Sequence, residues 1–199
     1  GRVPVPLEHT AVSASIAGYI ASVDVTQKYH NPFSHKIEAV YAFPLPDDAA
    51  VTGFLMTVGD RTIRGIIRER EEAQQIYNAA RAQGHNAAIM TQERPNIFTQ
   101  RVANIEPGRN IDISIRYFHT LAYNDGEYEF VFPMVVGPRF NPAYSAPDQQ
   151  IRTRNLSPNQ RSGHDISLAV DLDAGVPIRK ISCDSHRVAV DRISDRVAR

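Results

Sequence analysis

Residues Gln92 to Gly108 read QERPNIFTQRVANIEPG, and GRNIDISIRY carries the chain on from Gly108 to Tyr117. Ile111, Ile113, Ile115 and Tyr117 fall on one face, with Asp112, Ser114 and Arg116 on the other. That period of two is what a half-buried strand requires. Pro107-Gly108 is a turn signal, so Ile97 to Ile105 and Ile111 to Tyr117 read as consecutive strands. Beyond them stands Asn124-Asp125-Gly126, in which Asp-Gly supplies the positive φ angles of a type I′ turn. Tyr128, Phe130 and Phe132 then repeat the alternation, which predicts a hairpin between this run and Ile111 to Tyr117.

The same alternation spreads towards the N-terminus. Val12, Ala14, Ile16, Gly18 and Ile20 share one phase, and Ala21, Val23 and Val25 continue in the other. A slip of one residue predicts a bulge or corner near Ile20, with Gly18 permitting it. Asn31-Pro32 ends that strand, Ile37 to Phe43 forms another, and Val51 to Val58 pairs with Arg61 to Ile67 across Gly59-Asp60. The period then changes. Ala73, Ile76, Tyr77 and Ala80 recur at helical spacing, Glu71, Gln74, Gln75, Asn78 and Arg81 face away, and Gly84 stands where a C-terminal cap belongs. This predicts one helix of about four turns on a sheet face. His85 to Thr91 returns to strand. The fold expected is mainly β: an antiparallel β-sandwich with one inserted α-helix, plus a C-terminal set of short strands.

From Gly137 to Gly163 Pro, Ser, Asn, Gln and Arg accumulate without periodicity. Ile166, Leu168, Val170 and Leu172 alternate again, and shorter runs hold Ile178 with Ile181 and Val188 with Val190. Three short strands cannot bury both faces, so this tail needs a partner surface. The chain of 199 residues carries 22 Lys plus Arg against 22 Asp plus Glu, a net charge of zero. Nucleic acid and anionic membrane surfaces, which select a basic excess, are thereby disfavoured as partners. No apolar run reaches the ~20 residues of a spanning helix, so membrane insertion is not expected. The N-terminal GRVPVPLEHT lacks a secretory pattern, which leaves a cytosolic protein or one whose signal has been removed, the latter being favoured. A single cysteine, Cys183, gives no intrachain disulfide and reads as a buried or half-buried thiol.

Together with IEAVYAFPLPDDAAV (Ile37 to Val51), GDRTIRGIIRER (Gly59 to Arg70) and FPMVVGPRFNP from Phe132, the opening stretch resembles the VIT domain of vault proteins and inter-alpha-trypsin inhibitor heavy chains. The resemblance runs from Pro6 to Pro142, with long motifs in the family's order. It implies a VIT domain over residues 1–142, a linker or long loop over 143–163, and a short-strand region over 164–199 that packs on or belongs to an incomplete sandwich. It also implies a non-catalytic protein-interaction or scaffolding module, commonly followed by a von Willebrand type A domain. Secretion or the cell envelope is the location this suggests, with the cytoplasm as the alternative. The readings set against it are a hydrolase with an unrecognised polar site and a structural half-domain without independent activity.

The search for chemistry gives little. Asp165-Ile-Ser167-Leu-Ala169 approaches a metal-ion-dependent adhesion motif, but alanine replaces the last hydroxyl ligand. Asp184, Ser185 and His186 have the residue types of a hydrolase triad, but as sequence neighbours whose side chains point apart, and a triad needs convergence in space. Cys183 with His186 is too little for zinc, and His30 and His35 flank a turn without a third ligand. No Gly-rich loop opens a helix after a strand, so no nucleotide site is expected. No catalytic residue, metal or cofactor is assigned. The richest polar group is Glu93, Arg94 and Asn96, which could pair with Glu69, Arg70 or Glu72 at the helix start; Arg139 carries similar ambiguity. This cluster either bolts helix to sheet by charge-assisted bonds or forms a recognition surface.

Overall fold

Strands β1 (Leu7–Ala17) and β2 (Ile20–His30) fold back on each other across Gly18-Tyr19. Gly18 sits at φ +59°, left-handed backbone that a side chain disfavours. The phase slip expected as a bulge near Ile20 is therefore a tight hairpin turn, after which inward positions restart on the returning strand. The bulge in this pair lies at its other end, between Leu7 and His9. This geometry comes from a computed structural model, which describes residues 7–66, 68–94, 97–134 and 164–199, except the side chains of residues 41, 42, 93 and 94.

The remaining elements are β3 (Ile37–Pro44), β4 (Ala50–Val58), β5 (Arg61–Arg64), helix α1 (Arg70–Ala82), β6 (Ala87–Arg94), β7 (Ile97–Ile105) and β8 (Asn110–Thr120). They are followed by β9 (Ala122–Asn124), β10 (Glu127–Glu129), β11 (Asp165–Asp173) and β12 (Val197–Ala198). A large sheet has the order β12-β11-β1-β2-β8-β4-β5, a small one the order β3-β7-β6, and β9 and β10 form a separate ribbon. Mainly β with one helix, the molecule has the expected sandwich form. One pairing departs from the antiparallel rule, since β11 runs parallel to β1 from His9↔Asp165 to Ala17↔Asp173.

Alternation places Val12, Ala14 and Ile16 of β1, Ala21, Val23 and Val25 of β2, and Ile111, Ile113, Ile115 and Tyr117 of β8 in one buried face. Against it pack Ala39, Phe43, Phe98, Val102 and Ile105 of the small sheet. Removing this surface from water, at about 25 cal/mol per Å², is the main drive to fold. Three buried polar side chains form a chain that crosses from one sheet to the other. The Tyr29 hydroxyl donates to Gln27 Oε1 at 3.2 Å and accepts from Gln100 Nε2 at 3.2 Å.

The small sheet is buried on both faces, which explains β6 and β7. Ala87, Ile89 and Ala103 turn outward and form a second cluster with Tyr77, flanked by Ala73 and Ala80 of α1. Alanines let the helix approach, and Tyr77, 4 % exposed, fills the gap. Ile76, expected on the packing stripe, is 55 % exposed, because the helix seats Tyr77 at its centre and rotates its neighbour by about 100° into solvent. Arg81, expected to face away, instead meets Glu38 at 2.9 Å. The helix ends as its glycine foretold: Gly84, at φ +78°, donates to Arg81 O at 3.0 Å and His85 N donates to Ala80 O at 3.0 Å, a Schellman closure.

The hairpin expected after β8 and the short strands expected in the tail differ from what is observed. The predicted hairpin of Ile111–Tyr117 with Tyr128–Phe132 does not form, because β2 and β4 occupy both edges of β8. The Asp125-Gly126 turn, at φ 49° and 91°, instead closes the short β9–β10 ribbon, while Phe130 and Phe132 pack on the core outside any strand. In the tail only Ile166–Leu172 becomes a full strand. The runs at Ile178–Ile181 and Val188–Val190 are not strands, since two apolar residues each give too little to bury. Their backbone is held by Ile178 N donating to Asp195 O at 2.7 Å and by the Arg192 guanidinium donating to the carbonyls of Ile178 and Arg179. Residues 143–163, expected as a linker or loop, lie outside the described residues.

Candidate functional site

Helix α1 crosses the outer face of the small sheet and leaves an open groove of about 490 Å³ between its first turns and β6. Arg70, Gln74, Gln75 and Asn78 line it from the helix, with Thr91 and Arg101 from the sheet. The residues facing away from the apolar stripe make this wall, and Gln74 Nε2 already donates to Asn78 Oδ1 at 3.1 Å, one turn on.

Of the polar cluster expected at the helix start, the described side chains are those of Glu69, Arg70 and Glu72. Arg70 Nη2 donates to the Gln92 carbonyl, tying the first helical residue to β6. Glu69 is the N-cap residue, without a capping side-chain bond, and Glu72 meets Arg68 at 3.7 Å. Asn96 and Arg139 lie outside the described residues, as do the side chains of Glu93 and Arg94. Further polar links between helix and sheet stand at the middle and the C-terminal end of the helix and were not singled out from the sequence. The Tyr77 hydroxyl donates to Glu38 Oε1 at 2.6 Å, and Arg81 holds the other carboxylate oxygen. Burial, followed by the Glu38 bond, pushes the Tyr77 phenol well above its ordinary range. Asn104, at φ 56°, donates from Nδ2 to the carbonyls of Arg81 at 2.9 Å and His85 at 2.8 Å. Position in a strand hides such a residue; only an Asn before a turn hinted at left-handed backbone.

The other sequence candidates are dispersed. Asp165 and Ser167 stand on β11, where Ser167 Oγ lies 3.0 Å from His9 Nε2. His30 Nδ1 contacts Asn110 Oδ1 at 2.7 Å, and the His35 ring packs on Phe33 at 5.6 Å. Cys183, expected buried or half-buried, is exposed, because the tail around it covers nothing. Ser185 Oγ lies 3.0 Å from His186 Nδ1 and 3.5 Å from Cys183 Sγ, so these neighbours touch where they were expected to point apart. The Ser185 contact lowers the Cys183 thiol pKa. Among the described residues no group of three or more His, Cys, Asp or Glu could hold a metal, and no helix is long and apolar enough to cross a membrane.

The family model for the vault protein inter-alpha-trypsin domain, VIT, matches residues 7–117. The mouse (Mus musculus) protein mono-ADP-ribosyltransferase PARP4 is 34% identical over 190 residues, covering 93% of this chain and 9% of that protein. The human (Homo sapiens) PARP4 is 40% identical over 151 residues, 76% of this chain and 8% of the relative. Human von Willebrand factor A domain-containing protein 5A is 28% identical over 184 residues, 90% of this chain and 23% of the relative. The chain thus spans less than a quarter of the length of these relatives. The β-sandwich with its helix and the match over β1 to β8 lead to one conclusion: this chain belongs to the VIT family.

Proposed function

We propose that this chain is a non-catalytic interaction and scaffolding module whose residues 164–199 present a docking face to a von Willebrand type A domain, in the same chain or in a partner. One observation carries the reading. The tail is fastened to the sandwich along all nine residues of β11, yet it leaves Val176, Val188, Val190 and Ile193 at 64%, 53%, 45% and 62% exposure. Anchored backbone with exposed apolar side chains is what a surface completed by another body requires. The name of the human 5A relative supplies the class of that body. In this reading residues 164–199 are an added edge of the 1–142 domain rather than a separate unit. The cluster of Glu69, Arg70 and Glu72 then has a structural part, fixing the helix. A secreted or envelope location, with the cytoplasm as alternative, belongs to the same proposal and rests on the family likeness alone.

Calorimetric titration of this chain with the type A domain of the human 5A relative tests it. Binding that is lost in Val188→Asp/Ile193→Asp and kept in Glu69→Ala/Arg70→Ala is expected. Absence of binding, or binding indifferent to the tail substitutions, overturns the docking role and favours a structural half-domain.

A further inference from the structure

The outer face of the small sheet carries a row of three residues, one from each strand. Val40 of β3, Arg101 of β7 and Ile89 of β6 stand opposite one another in the register, so their side chains leave on the same face. That face is the one the helix crosses, since Ile89 packs in the cluster of Tyr77. The helix covers only part of the row: Ile89 is 6% exposed, Val40 is 62% exposed, and Arg101 between them is open to solvent. Arg101 also lines the groove of about 490 Å³, together with Gln74, Gln75 and Asn78 of the helix. Its charge reaches the helix, because the Tyr77 phenol, raised chiefly by burial, is drawn back by Arg81 and Arg101.

The guanidiniums around the helix are otherwise engaged. Arg81 pairs with Glu38, Arg68 with Glu72, and Arg70 donates to the Gln92 carbonyl. Arg101 has no ion pair or hydrogen bond among the described residues. Glu38, two residues before its cross-strand neighbour Val40, already gives one oxygen to Tyr77 and the other to Arg81. The helix wall of the groove is set in advance. Gln74 Nε2 donates to Asn78 Oδ1, which leaves Gln74 Oε1 as an acceptor and Asn78 Nδ2 as a donor beside the same groove.

A guanidinium presents a planar fork of donors that matches a carboxylate with two parallel bonds. The groove suits a single negative charge better than a phosphate dianion, because Glu71 lines it and Arg70 is committed to a strand carbonyl. A basic segment would meet Arg101 with like charge. An acceptor and a donor on the helix wall are what a peptide backbone needs, since each residue brings one N–H and one C=O. Val40 adds an open apolar contact next to the fork. We propose that this groove binds an extended segment of a partner protein through an aspartate or glutamate carboxylate seated on Arg101, with Val40 and the Gln74 and Asn78 carboxamides meeting the residues beside it. This surface involves no residue of 164–199 and stands independently of the docking role assigned to that tail.

The test is a ¹H–¹⁵N NMR titration of the whole chain with a capped pentapeptide in which two glutamates flank a valine and glycines close the ends. Matched peptides with glutamine or phosphoserine in place of glutamate are the comparison arms. The expected result is a saturable shift of the Arg101 Nε–H and of the Gln74 and Asn78 side-chain amides by the glutamate peptide, weakening as salt is raised. The phosphoserine peptide should bind no more tightly, and the glutamine peptide should bind more weakly. Arg101→Gln should weaken binding about three- to tenfold. Arg101→Lys, which keeps the charge and loses the fork, should recover only part of that loss. Glu71→Gln, which removes a like charge from the groove, should strengthen binding about twofold. Val188→Asp/Ile193→Asp should bind the peptide as the parent does. Equal binding of the glutamine peptide, tighter binding of the phosphoserine peptide, an Arg101→Gln variant that binds like the parent, loss of binding in the tail variant, or no shift at all would each overturn the proposal.

Discussion

The Tyr77 hydroxyl lies 2.6 Å from Glu38 Oε1 and fastens the middle of helix α1 to strand β3. Tyr77 is buried, whereas the Glu38 side chain is 26% exposed and also holds Arg81. Removing the hydroxyl therefore leaves a carboxylate that keeps one partner and can regain water. Tyr77→Phe should cost about 1 kcal/mol, the worth of one net hydrogen bond, and Tyr77→Ala about 3–5 kcal/mol through lost packing. Urea unfolding at neutral pH measures both, and equal losses for the two variants would refute this division.

Burial raises the Tyr77 and Tyr117 phenols above their ordinary value, Tyr117 by desolvation alone. Since the folded pKa is raised, the stability these groups contribute is complete below about pH 10 and is lost as pH rises above the unfolded value towards the folded one. Ultraviolet titration should show Tyr77 and Tyr117 ionising only together with alkaline unfolding. Tyr77→Phe/Tyr117→Phe should remove that late, cooperative component.

Asn104 combines left-handed backbone with two bonds to carbonyls at the end of α1, and its own carbonyl accepts from Asn86 Nδ2 at 2.5 Å. Asn104→Gly removes the side-chain bonds but suits the backbone, whereas Asn104→Ala removes the bonds and adds strain. The alanine variant should be less stable than the glycine variant by about 1 kcal/mol, with both below the parent. Thermal unfolding of the three proteins gives the order, and an alanine variant as stable as the glycine variant would contradict it.

Local pattern foretold the helix, the β4–β5 hairpin, the Gly84 cap and the inward face of β8, because each depends on neighbours within a few residues. Pattern failed where competition between distant strands decides. Ile111 to Tyr117 alternates equally well whichever strand lies beside it, and β2 and β4 outbid the Tyr128 run by offering full-length partners. The parallel pairing of β11 with β1 was likewise hidden, since a period of two carries no direction. The site was less legible than the fold. Glu38 reads as one polar position in a strand, and Asn104 as another; only the tertiary approach of α1 gives either a partner. The sequence drew attention to charged neighbours around Arg94, while the Tyr77–Glu38 bond joins residues 39 positions apart.

The seam between β1 and β11 provides a prediction with a defined sign. Thr10, 4% exposed, contacts His164 Nε2 through its hydroxyl at 2.8 Å, and His9 contacts Ser167 at 3.0 Å. Desolvation holds the His164 imidazole below its ordinary pKa, reinforced by the neighbouring His9 and opposed by Asp165. A histidine with a depressed folded pKa is neutral in the folded protein, so the unfolded chain binds more protons as pH falls. The stability of the seam is then complete above about pH 6.5 and declines as pH falls from there through the folded pKa. Protonation places a cation beside His9 at the point where the parallel pairing begins, so β11 should loosen first at its Asp165 end. Hydrogen exchange of 165–173 should accelerate between pH 7.5 and pH 5 relative to β2 and β8, after correction for intrinsic rates. His164→Gln should flatten that dependence; an unchanged slope would show that the seam does not take its pH sensitivity from His164.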